Sequence, residues 1–359
     1  MKKVTKYLIA SIFYLTGLTA LRLQRRFKRN PGLILMYHRV LADDDPECGK
    51  IQPGMFVKAG AFEKQIAYLA KKYEIISLGE LARMLDDPAS ISGKYVIVTF
   101  DDGWRDNFEI AYPILMKYNV PATIFLTTGF IESTDVLWFY QAENILRTAN
   151  ISAERAAAII SEAVAASGSA KSPRAAPLDN PVRTRPGINE LIEMMKELDA
   201  VSIESVLAKI AAEGSISGDV LRADNRMLNW DQITQMKRAG IEFGSHGVSH
   251  AILTRMRPDE VMDELVNSKD SIKSRLGIDV SLFSYPNGNY DPEIRNMARG
   301  AGYKCSVTTR GNPSDHNEID TFALRRTAIH QDISLGPRGS FSKIMFAFHL
   351  AAWKEIFRL

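Results

Sequence analysis

Cysteine is nearly absent: the 359 residues contain two, Cys48 and Cys305, too few for a disulfide framework and without the spacing of a thiolate metal site. An excess of charge of one sign is missing too. Lys and Arg total 45 against 42 Asp and Glu, a net +3, so the balance gives no electrostatic support to a nucleic-acid partner. The apolar stretch Tyr7 to Leu21 (YLIASIFYLTGLTAL) falls short of the roughly 18 to 20 residues that usually span a bilayer. No convincing small-residue cleavage site follows it, which argues against a secretory signal peptide. A G-x-x-x-x-G-K-[ST] loop is lacking, which removes a nucleotide hydrolase. What is present is 46% hydrophobic and 24% charged, the profile of one large globular domain or two.

The basic residues bunch at the amino end. Lys2, Lys3 and Lys6 precede the apolar stretch, and Arg22, Arg25, Arg26, Lys28 and Arg29 follow it. Residues 1–30 therefore read as a basic amphipathic helix lying in a membrane interface on anionic head groups, in preference to a short signal anchor or a buried helix. The expected location is the bacterial inner membrane, peripheral or monotopic, with the face undetermined. Residues 336–359 form a second amphipathic helix with Phe346, Phe348, Trp353 and Phe357, set against the domain or the same membrane.

The chemistry gathers around Tyr95 to Phe108, YVIVTFDDGWRDNF. A Val- and Ile-rich run without alternation reads as a strand covered on both faces, as in a parallel sheet. Asp101 and Asp102 then stand at its carboxyl end, where ligands collect in α/β folds. Adjacent side chains on a strand point to opposite faces, so the pair shares one site if the chain turns at once, and Gly103 allows that turn. Two crowded carboxylates repel, and a cation beside them relieves the repulsion.

Comparable runs predict strands at 33–36, 73–76, 122–126, 241–245, 280–284 and 304–308, with helices at 61–72, 78–85, 231–239, 258–276 and 292–301. That alternation is an α/β architecture with about seven or eight strands, enough to close a barrel. The rhythm breaks over 132–226, read as an inserted helical subdomain. Its turn-rich middle is expected to be mobile, and the insert could serve as a lid bringing Trp138, Phe139 and Tyr140 to the site.

The strand at 241–245 runs into His246 and His250 (SHGVSH). Four residues apart, the two rings project to one side of a helical turn and can reach one ion. Two His and one carboxylate leave positions open for water and substrate, the pattern of a hydrolytic metal site. Zinc suits this set best, with cobalt, nickel, iron and manganese compatible.

TFDDG, SHGVSH and the run Phe283 to Gly288 (FSYPNG) together resemble the three motifs of the polysaccharide deacetylases of carbohydrate esterase family 4, the NodB homology domain. The resemblance covers roughly 31–130 and 227–329, within a catalytic domain placed at 31–335. It implies a distorted (β/α)7 barrel with the inserted helices, and a carbohydrate N-deacetylase of the bacterial cell envelope. The substrate would be an N-acetylated sugar in a polysaccharide or lipid-linked glycan. By the same resemblance Asp102, His246 and His250 hold one divalent metal and Asp101 is the general base. The backbone N–H of Asn287 after Pro286 would stabilise the oxyanion, with Tyr285 and Trp104 as further substrate contacts.

For the general acid, His330 lies near a late Leu-x-His motif, whereas His38 in LILMYHRV matches the Tyr-His signature of the permuted branch that includes poly-N-acetylglucosamine deacetylases. His38 is favoured. Ser284 stands where many members carry an Arg that orients the base, leaving Arg105, Arg325 or Arg326 to replace it. Competing readings are an amidohydrolase acting on a small non-sugar amide, and a catalytically silent glycan-binding membrane protein.

Overall fold

The computed structural model describes residues 2–30, 32–87, 91, 93–167, 187–216, 226–309 and 319–353. Its strands are β1 (Leu33–Tyr37), β2 (Arg39–Leu41), β3 (Phe56–Lys58), β4 (Glu74–Ile75), β5 (Tyr95–Phe100), β6 (Thr123–Leu126), β7 (Glu242–Ser245), β8 (Leu282–Ser284), β9 (Cys305–Thr308) and β10 (Leu324–Ala328). Seven of them close a parallel ring in the order β1, β10, β9, β8, β7, β6, β5, with β5 bonded back to β1. This is the expected (β/α)7 barrel. Every residue of β1 and β6 is buried, as are all but the first of β5. Side chains fill the barrel on one side and meet helices on the other, hence the unbroken apolar runs.

The count of seven hides an exchange. The expected strand at 73–76 is the two-residue β4, which pairs with the start of β5 below β6 and is not part of the ring. The ring is completed by β10, whose sequence LRRTA shows no core pattern although Arg326 is 4% exposed. A buried arginine reads as surface until its partner is known. The polar segment after β1 also carries structure, since β2 and β3 pair in parallel as a separate ribbon.

Helices α3 (Ala59–Lys72), α4 (Leu78–Met84), α5 (Tyr112–Lys117), α10 (Trp230–Arg238), α11 (Pro258–Leu276) and α12 (Pro292–Gly300) accompany the strands. Ser77 caps α4 by accepting a hydrogen bond from the Glu80 N–H, as the Ser-x-x-Glu spacing predicts. Between β6 and α10 come α6 (Trp138–Thr148), α7 (Ala153–Ala166), α8 (Ile188–Met195) and α9 (Ala200–Glu213). These four bury an apolar cluster of their own, including Ile145, Ile160, Met195 and Ile210. The turn-rich segment between α7 and α8 lies outside the described residues.

The amino-terminal reading is corrected in one respect: residues 1–30 are not one helix. Gly17, at φ +78°, breaks them into α1 (Lys2–Leu15) and α2 (Leu18–Arg29), bent by 76°. No single helix among the described residues is long and apolar enough to cross a membrane. Helix α13 (Lys343–Leu350) packs inward, with Met345, Phe346, Phe348 and Leu350 buried. Ala10 of α1 is buried against Met345 and Phe348. Arg22 and Arg26 of α2 donate to the last carbonyls of the α13 turn, at Ala351, Ala352 and Leu350. The last residues, Phe357 among them, lie outside the described set.

Candidate active site

The register of the barrel assembles the site. Leu33 through Tyr37 pair one for one with Val96 through Phe100, and the Asp101 N–H donates to the Tyr37 carbonyl at 3.0 Å. His38 and Asp101 therefore leave the sheet side by side. On the other flank Leu126 pairs with Ser245, and the His246 N–H donates to the Leu126 carbonyl at 2.8 Å. Acids and imidazoles thus emerge at one carboxyl-terminal mouth, as sheet topology requires.

The turn expected at Gly103 begins one residue earlier. Asp102 itself holds φ +76°, and His250 holds φ +59°. Two non-glycine residues in the left-handed region mark stored strain, which tends to gather at functional sites. The helical turn expected to align His246 and His250 is absent. The segment is a bent loop, clamped by Glu264 of α11, whose carboxylate accepts from the N–H of Val248 and Ser249 and from the Ser249 hydroxyl. The rings still converge, with centroids 4.9 Å apart. Glu264 gives no sequence signal, being one acid in an amphipathic helix.

Asp102, His246 and His250 each offer a ligand atom, and these atoms lie within 4.8 Å of one another. Asp102 is fully buried; its Oδ2 accepts from the Trp104 indole N–H at 2.8 Å, while Oδ1 has no hydrogen-bond partner. That bare oxygen lies 3.6 Å from Nε2 of His246 and 3.4 Å from Nε2 of His250. His246 Nδ1 lies 2.7 Å from the Ser284 carbonyl, so it carries the proton and Nε2 keeps a lone pair facing inward. Burial first of all lowers the His246 pKa to about 4, so the ring is neutral near pH 7. A buried unpaired carboxylate oxygen and two imidazoles, at least one of them neutral, form the donor set a divalent cation takes.

Asp101 is held differently. It is 2% exposed, and Arg326 donates to both its oxygens, at 2.7 and 2.6 Å. The guanidinium is itself fixed by the hydroxyls of Thr99 and Ser284, at 3.2 and 2.9 Å. Burial alone would raise the pKa of both acids. The Arg326 charge and hydrogen bonds, with His246 and His38, bring Asp101 below the usual carboxylate range. For Asp102 burial is outweighed by the close approach and charge of His250, with His38 and His246. Of Arg105, Arg325 and Arg326, the three considered as partners of Asp101, Arg326 is the one that grips it.

The remaining residues separate cleanly. His38 acts electrostatically on both acids, its carbonyl accepts from the Asn107 amide at 2.8 Å, and its Nδ1 is buried without a partner. The His330 ring instead lies 6.4 Å from that of His349 on α13. Trp104 is 1% exposed and sits behind Asp102, so its place is that of an orienting donor and not of a substrate contact. Tyr285 is buried too, and its hydroxyl donates to the Phe322 carbonyl at 3.1 Å, which turns the phenol away from any substrate. Pro286 leads to Asn287 at φ +56°, whose N–H has no hydrogen-bond acceptor among the described residues. Of the three insert aromatics, Phe139 reaches the site, its ring 5.1 Å from His250, while Tyr140 is buried against Trp104.

Comparison with known proteins agrees with this geometry. The polysaccharide deacetylase family profile matches residues 89–164 and 181–306. YxkH of Bacillus subtilis, whose name places it among polysaccharide deacetylases, is 21% identical over 313 residues, 87% of this chain and 76% of its own length. The poly-β-1,6-N-acetyl-D-glucosamine N-deacetylase of Staphylococcus epidermidis is 30% identical over 118 residues, 31% of this chain and 40% of that protein. The fold is shared with the deacetylase PplD of Streptococcus pyogenes, solved with acetate (TM-score 0.53, 21% identity, covering 86% of this chain and 95% of that one). It is likewise shared with IcaB of Ammonifex degensii (TM-score 0.51, 18% identity, 90% and 96%). The profile spans more than half of the sequence, and the chain belongs to the polysaccharide deacetylase family.

Proposed function

We propose that this protein hydrolyses the N-acetyl group of an amino sugar in a polysaccharide or lipid-linked glycan. The observation that carries the reading is the division of labour between adjacent carboxylates. Asp102 presents a bare Oδ1 to two imidazole nitrogens, and Asp101 is locked by Arg326 with no proton of its own. Asp102, His246 and His250 would hold one divalent cation, zinc by donor type, which when bound supplies Lewis acidity toward the acetyl carbonyl and acidifies water.

In this scheme Asp101 removes a proton from the attacking water as its oxygen bonds to the carbonyl carbon. The Asn287 N–H stands as a donor for the oxygen that becomes negative. The C–N bond then breaks, His38 gives a proton to the departing amine, and acetate and a free amino sugar result. Partnership with a membrane belongs to the same proposal, supported by the exposed apolar stripe and the acid-free basic flanks of α1 and α2. The decisive experiment is acetate release from a panel of N-acetylated glycans and lipid-linked sugars, with and without a chelator. Chelator-sensitive release is expected, and release from no substrate, or release indifferent to chelation, overturns the reading.

A further inference from the structure

Behind Asp102 the chain buries a row of groups that the proposed reaction does not use. The Trp104 indole N–H donates to Oδ2 of Asp102 at 2.8 Å, which leaves Oδ1 as the oxygen turned toward the two imidazoles. Over the face of that indole lies the Arg39 guanidinium, 4.7 Å from the ring centre. Arg39 is buried, and its Nε donates to Oδ2 of Asp106 at 2.8 Å. The other oxygen of Asp106 accepts from the Val40 N–H at 2.9 Å and from the Asn107 amide at 3.2 Å. Carboxylate, guanidinium, indole and carboxylate therefore follow one another from Asp106 to Asp102. Stability alone is a poor account of this row. A buried ion pair is often no more stabilising than apolar side chains of the same volume, and this one leaves Nη1 of Arg39 buried without a hydrogen-bond partner, which is itself a cost. What the row supplies is polarisation. A cation on the ring face draws on the π electrons of the indole, and linked polar groups strengthen one another where the dielectric is low. The N–H becomes a stronger donor, and Oδ2 is held to it.

We propose that Arg39 is a positioning residue for Asp102, acting through the Trp104 ring to keep that carboxylate a one-oxygen donor, so that positions on the cation stay open for water and substrate. This role rests on the metal-dependent reading of the site, but it is measured without turnover. The full chain, stripped of metal by a chelator and dialysed, is titrated with Zn²⁺ against a competing chromophoric chelator. Trp104→Phe keeps the aromatic surface and removes the N–H, and should weaken zinc binding about 10–100-fold, the usual loss when the outer partner of a ligand is deleted. Arg39→Gln should weaken it roughly threefold or more, and should also lower the melting temperature because Asp106 is left buried and unpaired. Arg39→Gln with Asp106→Asn removes that second fault: the melting temperature should recover while zinc affinity stays low. Cobalt(II) is the second probe. Its visible absorption should dim in Trp104→Phe and in the double variant, because a carboxylate binding through both oxygens raises the coordination number. Zinc affinity that returns with the melting temperature in the double variant makes Arg39 structural only and overturns the proposal, as does a cobalt spectrum unmoved in every variant. If the unmodified protein binds neither ion, the metal reading falls and this role with it. If it binds zinc and the variants bind equally well, the role of Arg39 falls alone.

Discussion

Arg326 decides what kind of group Asp101 is. A carboxylate buried to this degree would ordinarily take up a proton, because desolvation penalises the charge. The two-pronged guanidinium reverses that outcome. Arg326→Ala should therefore let burial win: Asp101 would hold its proton to higher pH, and the acid limb of the kcat/KM profile should move upward. Removing one partner of a buried pair also costs about 3–5 kcal/mol of stability, so the profile is to be measured below the lowered melting temperature. An acid limb that stays put would remove Asp101 from the role of base. His246 gives a second expectation, of opposite origin. Its pKa is about 4 in the fold and 6.5 in the open chain, so between those values the unfolded state binds the extra proton. In metal-free protein, stability should fall as pH drops from about 6.5 to about 4, by on the order of 3 kcal/mol in total. Urea midpoints across that range, compared with those of His246→Gln, check the slope.

At the scale of elements, β7 shows how tightly the staves are fitted. A Cβ on Gly244 would lie 2.7 Å from the Phe125 ring of β6 and 2.9 Å from the Leu282 carbonyl of β8. Gly244→Ala should cost about 1–3 kcal/mol, the usual penalty for overpacking, seen as a lower melting temperature with the barrel intact by far-ultraviolet dichroism. The strands that were legible in the sequence were those whose interior is apolar throughout: β1, β5 and β6 announce themselves, and each points to a polar residue just past its end. His38, Asp101 and Asp102 were found that way, whereas His246 and His250 were found by their four-residue spacing after β7. Arg326 was named only as one of three candidates, because β10 carries charge into the barrel and its sequence looks like surface. Glu264 was hidden, and Trp104 was named for the wrong contact, for another reason, since an acid on a helix or an aromatic after a turn has no signature of what it will grip. The bend at Gly17 and the loop geometry of SHGVSH depend on single φ values that composition does not reveal.

For the molecule as a whole, the ends and the mouth have to be considered together. Val4, Leu8, Ile12, Leu15, Leu18 and Leu21 are each at least 41% exposed and follow one another along α1 and α2. No acidic residue occurs before Asp43. Opposite that stripe, α1 and α2 are riveted to α13 through Phe13, Trp353 and the two arginines. The full chain should cosediment with vesicles containing anionic phosphatidylglycerol and do so weakly with neutral phosphatidylcholine. Leu8→Glu with Leu15→Glu should reduce bound protein at least tenfold, whereas unchanged sedimentation would remove the membrane from the account.

The seam between β7 and β8 has a consequence for the order of events in the life of the molecule. The two staves share one paired position, Ser245 with Phe283, and just above it the imidazole of His246 reaches across to the Ser284 carbonyl. The side chain that would present a lone pair to a cation is thus also a stitch in the wall. Until the ring of strands has shut, nothing fixes which nitrogen of that imidazole carries hydrogen, so the donor set of Asp102, His246 and His250 stands prearranged only in the closed barrel.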